Sequence, residues 1–142
     1  MSKKVSKVKQ GKQGKKEVLY ARGKRKESIA RVVAKPGSGL VWVNGELLTS
    51  GDWRFKEVQE VFSLVPEVKF NFFARVSGGG VKGQVQALRT GVARILASVL
   101  GEEARKSFAS FDRSLLVEDV RRVEPKKFKG PKARARFTKS YR

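Results

Sequence analysis

Residues 68–76, VKFNFFARV, alternate between two faces: Val68, Phe70, Phe72, Ala74 and Val76 on one, Lys69, Asn71, Phe73 and Arg75 on the other. A period of two predicts a strand with one buried side. Ser77-Gly78-Gly79-Gly80 follows, and the period then changes. Val85, Leu88, Val92, Ile95, Leu96 and Val99 recur at helical spacing, with Gln86, Thr90 and Arg94 opposite, which predicts a helix from about Gly83 to Leu100. A half-buried strand leading through glycines into an amphipathic helix requires a small sheet with helices packed on it, an α/β or α+β unit.

The flanking segments fit that unit. Ser28–Lys35 (SIARVVAK) is β-branched and reads as a strand, broken by Pro36-Gly37-Ser38-Gly39. Leu40–Val43 reads as a second strand, and Asn44-Gly45 as a tight reversal. Asp52 is placed to cap a helix from about Trp53 to Val65, with Phe55, Val58 and Phe62 on its apolar side and Pro66 ending it. A short helix over Glu102–Phe111 would turn Ala104, Phe108 and Phe111 inward, and Val120–Val123 would add an edge strand.

Charge divides the chain. Lys and Arg number 33 against 13 Asp and Glu, a net charge of +20. Residues 1–26 hold eleven cations and one acid, residues 27–118 twelve and ten, residues 119–142 ten and two. A nearly neutral globule thus carries two basic arms. Residues 1–16 have too little apolar surface to offset ordering entropy and are expected to be disordered when free. So much like charge does nothing for folding and points to a polyanionic partner. With no Cys and no His, the chain has no Cys/His zinc site, disulfide framework, iron–sulfur cluster or histidine-based triad. No apolar run approaches the roughly 18 residues that span a bilayer, and residues 1–16 hold no apolar core of a secretory signal. No membrane, metal or cofactor is expected.

Three features carry chemistry. Gly23-Lys24-Arg25-Lys26 packs three cations beside a strand, suited to phosphate neutralisation, although a solvated charge run looks the same. Ser77–Gln84 (SGGGVKGQ) lies between strand and helix, where glycine amides and a helix N-terminus can approach an anion and Lys82 and Arg89 can add charge. It matches neither nucleotide-loop pattern, and a tight turn needing positive φ also accounts for it. The terminal EPKKFKGPKARARFTKSYR interleaves Phe128, Phe137 and Tyr141 with a cation every two or three residues, suited to stacking on unpaired bases while tracking phosphates.

GKRKESIARV, PGSG, VNG, GGGVKGQ, ALRTGVARIL and RRVEPKKFKGPKARARFTKSYR occur in this order. From about Tyr20 to Arg142 the chain resembles the universal small-subunit ribosomal protein nine family. The resemblance implies a compact α/β domain, like the second domain of ribosomal protein five, in the head of the small subunit. It also implies a long C-terminal tail threading ribosomal RNA. The implied organisation is a basic extension at 1–19, an RNA-binding domain at 20–118 and a tail at 119–142. The implied ribosomal RNA ligands are Lys24, Arg25, Lys26 and Arg31; Gly78, Gly79, Gly80, Lys82, Gln84 and Arg89; and, in the tail, Arg121, Arg122, Lys126, Lys127, Lys129, Lys132, Arg134 and Arg136. Lys139, Ser140, Tyr141 and Arg142 match the family tip that touches peptidyl-site transfer RNA. Neighbouring ribosomal proteins of the head are the other implied partners, and the ribosome in the cytoplasm the implied location.

Two alternatives stay open on the residues alone. One is a free RNA chaperone or DNA-compacting protein acting through its basic arms. The other is a phosphotransferase using the glycine-rich loop, although the scattered acids of the middle form no magnesium or general-base motif.

Overall fold

The alternating stretch is the middle strand of a five-stranded sheet. The protein is seen here as a computed structural model that describes residues 19–65 and 68–139. The expected disorder of residues 1–16, the stop at Pro66 and the tip at Ser140, Tyr141 and Arg142 lie outside the described residues. The strands are β1 (Leu19–Arg25), β2 (Ser28–Pro36), β3 (Val41–Val43), β4 (Glu46–Leu47) and β5 (Phe70–Ser77), in the order β1-β2-β5-β3-β4. Strand β5 runs antiparallel to β2 and parallel to β3. The helices are α1 (Trp53–Ser63), α2 (Val81–Leu100) and α3 (Glu102–Phe111), followed by a 3-10 turn at Arg113–Leu115. The mixed α/β architecture is the one expected.

Strand β1 was not expected as a strand. LYARGKR contains no β-branched residue and reads as a charge cluster, yet it pairs with β2 along its length, from Leu19 opposite Ala34 to Arg25 opposite Ser28. The basic cluster is therefore the end of a hairpin that turns at Lys26 and Glu27. The Asn44-Gly45 reversal forms as expected, with φ of 51° and 94°, the double positive φ that this dipeptide tolerates. The Asn44 amide also donates to the Val76 carbonyl (3.1 Å) and accepts from the Val76 amide (2.9 Å), extending the ladder past the end of β3.

The core lies between one sheet face and the helices. Ala30, Val32 and Ala34 of β2 and Phe72, Ala74 and Val76 of β5 are buried with Leu88, Val92, Ile95 and Leu96 of α2 and Val58 and Val61 of α1. Helix α2 lies unusually close to β1. A Cβ on Gly23 would strike the Ala87 carbonyl, and one on Gly91 would stand 2.6 Å from Val32 Cγ2. Gly23, read as part of a basic motif, is thus also a packing residue.

Several expectations change. Helix α2 begins at Val81 rather than Gly83, and α1 ends at Ser63 rather than Val65. Val99 is exposed, because the last turn of α2, Ser98 to Leu100, is left uncovered. Thr90 is buried, because the 3-10 turn folds over its face and its hydroxyl lies within reach of the Gln86 (3.0 Å) and Ser114 (3.2 Å) carbonyls. Phe111 is 53% exposed, with the Arg89 guanidinium 5.8 Å from its ring centre. Asp52 stands at the N-cap of α1, but its side chain makes no cap hydrogen bond: the carboxylate accepts two bonds from the Arg54 guanidinium, at 3.1 and 2.8 Å. Val120–Val123 is no strand. Among the described residues the segment's one backbone bond to β1 runs from the Asp119 amide to the Lys24 carbonyl, at 3.4 Å, after which the chain leaves the sheet.

Candidate nucleic-acid interface

The hairpin turn and the glycine loop, fifty residues apart in the chain, meet in space. Ser28 donates from Oγ to the Gly78 carbonyl at 3.0 Å, and Gln84 donates to the same oxygen at 3.1 Å. Gly78 and Gly79 hold φ of 76° and 62°, which L side chains rarely adopt. A Cβ on Gly78 would strike the Glu27 carbonyl, and one on Gly79 the Ser28 hydroxyl. These two glycines therefore seat the loop against the hairpin. Gly80 differs, since a Cβ there would meet open space.

The junction encloses an open cavity of about 670 Å³, whose lining includes Arg25, Lys26, Gly80 and Lys82. Gly80 is also the N-cap of the twenty-residue α2, with no side chain capping it and no acid in the first turn. Free first-turn amides and the helix dipole favour an anion there. Three cations from two motifs line the same space with one acid, Glu27, and their excess suits a phosphate group.

Not every sequence-nominated cation is equally free. Arg25 pairs with Asp119 at 3.2 Å. Arg89 is 15% exposed and lies between Glu60 (3.2 Å) and Asp112 (3.8 Å), a brace between α1, α2 and the segment after α3. Arg121 is near Asp119 at 3.6 Å, and Arg134 makes two bonds to Glu124, at 3.1 and 2.7 Å. No ion pair involves Lys24, Lys26, Arg31 or Lys82 among the described residues. Lys24 stands at the β1 edge beside the tail root, and Arg31 lies on the sheet face away from the helices.

The tail root is an ion-pair cluster that sequence reading missed. Glu118 accepts from Arg22 (2.9 Å) and from Arg94 (2.7 Å). Hydrogen bonding from Arg22, with Arg94 adding charge, holds its carboxyl below the ordinary value against the opposing effect of burial. Asp119 is lowered chiefly by the Arg121 amide, with Arg121, Arg25 and Lys26 adding positive charge. The two acids look like noise at the head of a basic arm; only the fold brings three arginines to them.

Beyond the root the tail is exposed, and it folds on itself. The Arg134–Glu124 pair and the fit of Gly130 against the Ala135 carbonyl close a loop. Phe128 and Phe137 then line a cavity of about 590 Å³ with Lys126, Lys127, Lys129 and Arg136 among its cations. Lys132 is exposed on the same loop, as is Arg122 nearer the root. For Phe128 and Phe137, the aromatic–cation interleaving read along the chain is thus present in space. Among the described residues no cluster of acids could hold a metal ion, and no helix is long and apolar enough to cross a membrane.

Residues 23–142 match the family described as Ribosomal protein S9/S16. The small ribosomal subunit protein uS9 of Candida glabrata is 43% identical over 134 residues, covering 84% of this chain and 93% of the relative. Those of Thermoplasma acidophilum and Halobacterium salinarum are 42% and 41% identical, over 87% and 88% of this chain and 100% and 99% of theirs. The match spans the hairpin cations, the glycine loop, the tail root and the basic tail together, and the chain belongs to the Ribosomal protein S9/S16 family.

Proposed function

We propose that the chain, a structural protein of the small ribosomal subunit and not an enzyme, holds small-subunit ribosomal RNA through two basic regions. One is the cavity between hairpin turn and glycine loop; the other is the C-terminal tail. The observation that carries this reading is the convergence of Arg25, Lys26 and Lys82 on the uncapped N-terminus of α2. A phosphate there meets free amides and three cations at once. Lys24 and the tail cations extend the same positive surface along the RNA, and Gly78, Gly79 and Gln84 shape the loop. Arg89 serves mainly as a brace. Other ribosomal proteins of the head complete its surroundings.

The finer part of the proposal concerns the tip. Lys139, Ser140, Tyr141 and Arg142 contact peptidyl-site transfer RNA, the guanidinium of Arg142 forming two parallel bonds to one phosphate. The family resemblance and the run of tail cations leading to this tip support that assignment. Reconstitution tests both parts. The full chain should co-sediment with small subunits at high salt, and a chain with the Lys26 and Lys82 charges removed should incorporate poorly. If that double variant incorporates normally, the cavity is not an RNA site.

A further inference from the structure

Among the described residues, helices cover one side of the sheet only. On the other side the register aligns side chains in rows. Arg31 on β2 stands opposite Arg75 on β5 and opposite Arg22 on β1. The next row runs Tyr20, Val33, Phe73 and Trp42. Phe73 and Trp42 stack with ring centres 4.7 Å apart and planes 6° from parallel, and Lys35 Nζ lies 5.1 Å from the Phe73 ring centre. Tyr20 is 59% exposed and Phe73 37%.

This face is built unlike a passive surface. Among the described residues no strand residue on it is acidic. Glu118 reaches Arg22 from the β1 edge, but no carboxylate among the described residues pairs with Arg31 or Arg75. Like charges directly opposite one another weaken a sheet. Arg31 and Arg75 also line a depression of about 550 Å³ together with Ile29, Asn44, Gly45 and Ser77. The aromatic row lies two residues away, about 7 Å along the strands, so one nucleotide can touch both rows.

We infer that the open sheet face is a second RNA-binding surface, taking unpaired RNA with a phosphate between Arg31 and Arg75 and a base on the Trp42–Phe73 stack. A phosphate between two guanidiniums replaces their repulsion with charge-assisted hydrogen bonds. Phe73 is exposed and Trp42 half-buried, and aromatic side chains so placed accept unpaired bases. RNA supplies the anion and the planar apolar group in one ligand; a protein would need carboxylates and an apolar side chain arranged to the same spacing. The inference rests on the reading that the chain binds ribosomal RNA, but it concerns a surface separate from the glycine-loop cavity.

The full-length chain carrying Trp53→Phe keeps Trp42 as its single indole and reports on the face directly. On titration with an oligouridylate of about twelve residues, Trp42 emission should be quenched by about half or more at saturation. Adding Arg31→Gln and Arg75→Gln should weaken binding about tenfold and flatten the salt dependence by up to about two phosphate contacts. Its melting temperature should stay equal to or rise above that of the parent, since repulsion is removed. Lys126→Gln with Lys127→Gln should weaken binding yet leave quenching at saturation intact. Tight binding with unquenched Trp42 and no effect of the arginine pair overturns this inference while leaving RNA binding by loop and tail standing. Failure of the unaltered chain to bind small-subunit ribosomal RNA overturns both. Cross-links from Lys35 to another ribosomal protein in reconstituted subunits would show a protein on this face and overturn the inference alone.

Discussion

Arg94 on α2 donates to Glu118 at 2.7 Å, and the same guanidinium reaches the Leu116 carbonyl at 2.9 Å and the Arg22 carbonyl at 2.8 Å. One side chain ties helix, edge strand and tail root together. Arg94→Ala removes three charge-assisted bonds and leaves Glu118, 17% exposed, with Arg22 as its remaining cation. The expected cost is about 1–3 kcal/mol by denaturant unfolding. Amide exchange across residues 114–119 should quicken while that of β5 should not.

Acid should loosen this root. Glu118 has its folded pKa below the ordinary value of 4.5, so the unfolded chain takes up the proton first as pH falls. Its contribution is complete above about pH 4.5 and is lost as pH drops through the depressed folded value. The stability gap between the unaltered chain and Glu118→Gln should therefore be widest near neutral pH and narrow in acid. A gap that stays constant from pH 7 to pH 3 would mean that the Glu118 ion pairs contribute nothing.

Glycine substitutions should separate packing from open loop. Gly23→Ala drives a methyl into the Ala87 carbonyl and should cost about 3 kcal/mol or more, because neither β1 nor α2 can move alone. Gly79→Val combines a left-handed φ with a clash at Ser28 and should destabilise by about 2 kcal/mol and impair subunit assembly. Gly80→Ser places a good N-cap residue in open space and should change stability by only a few tenths of a kcal/mol. Thermal melts of the three variants check the order.

Salt dependence should rank the cations. The affinity of the free chain for ribosomal RNA should fall steeply with log salt; a slope shallower than about −3 is incompatible with an interface made mainly of phosphate contacts. Lys26→Gln and Lys82→Gln should each flatten the slope by about one unit. Arg25→Gln should flatten it less, since Asp119 already occupies that guanidinium at 3.2 Å.

Removing Lys139 to Arg142 should leave assembly nearly intact, because most cations remain. Peptidyl-site transfer RNA should bind such subunits about 1–3 kcal/mol more weakly, with Arg142→Lys intermediate. Filter binding on reconstituted subunits decides it, and unchanged affinity in the deletion would remove the tip from the site.

Much of the fold can be read along the chain because it follows from period and turn chemistry. The alternation of 68–76 marks β5, the apolar spacing of α2 marks the helix, and Asn44-Gly45 marks the reversal. Periodicity names a face without measuring what covers it. Val99 and Phe111 share the apolar phase of their helices, but among the described residues no neighbouring element extends far enough to bury them. Thr90 shares the polar phase and is buried by a turn more than twenty residues later. Strand β1 escaped notice because its pairing energy comes from β2 and its close seat on α2, not from its own propensity.

The sequence by itself determined the net charge of +20, the neutral middle and basic ends, the absence of Cys and His, and the motif order that identifies the family, since all of these are properties of composition and of neighbours along the chain. Tertiary structure alone decided which of the described cations are spent on internal ion pairs. Arg89 and Arg94 become braces, Arg25 is shared with Asp119, Lys26 and Lys82 come together at one helix end, and Arg31 faces Arg75 across two strands. Coulomb interactions depend on distance in space, and residues fifty or a hundred positions apart acquire that distance only when the sheet closes.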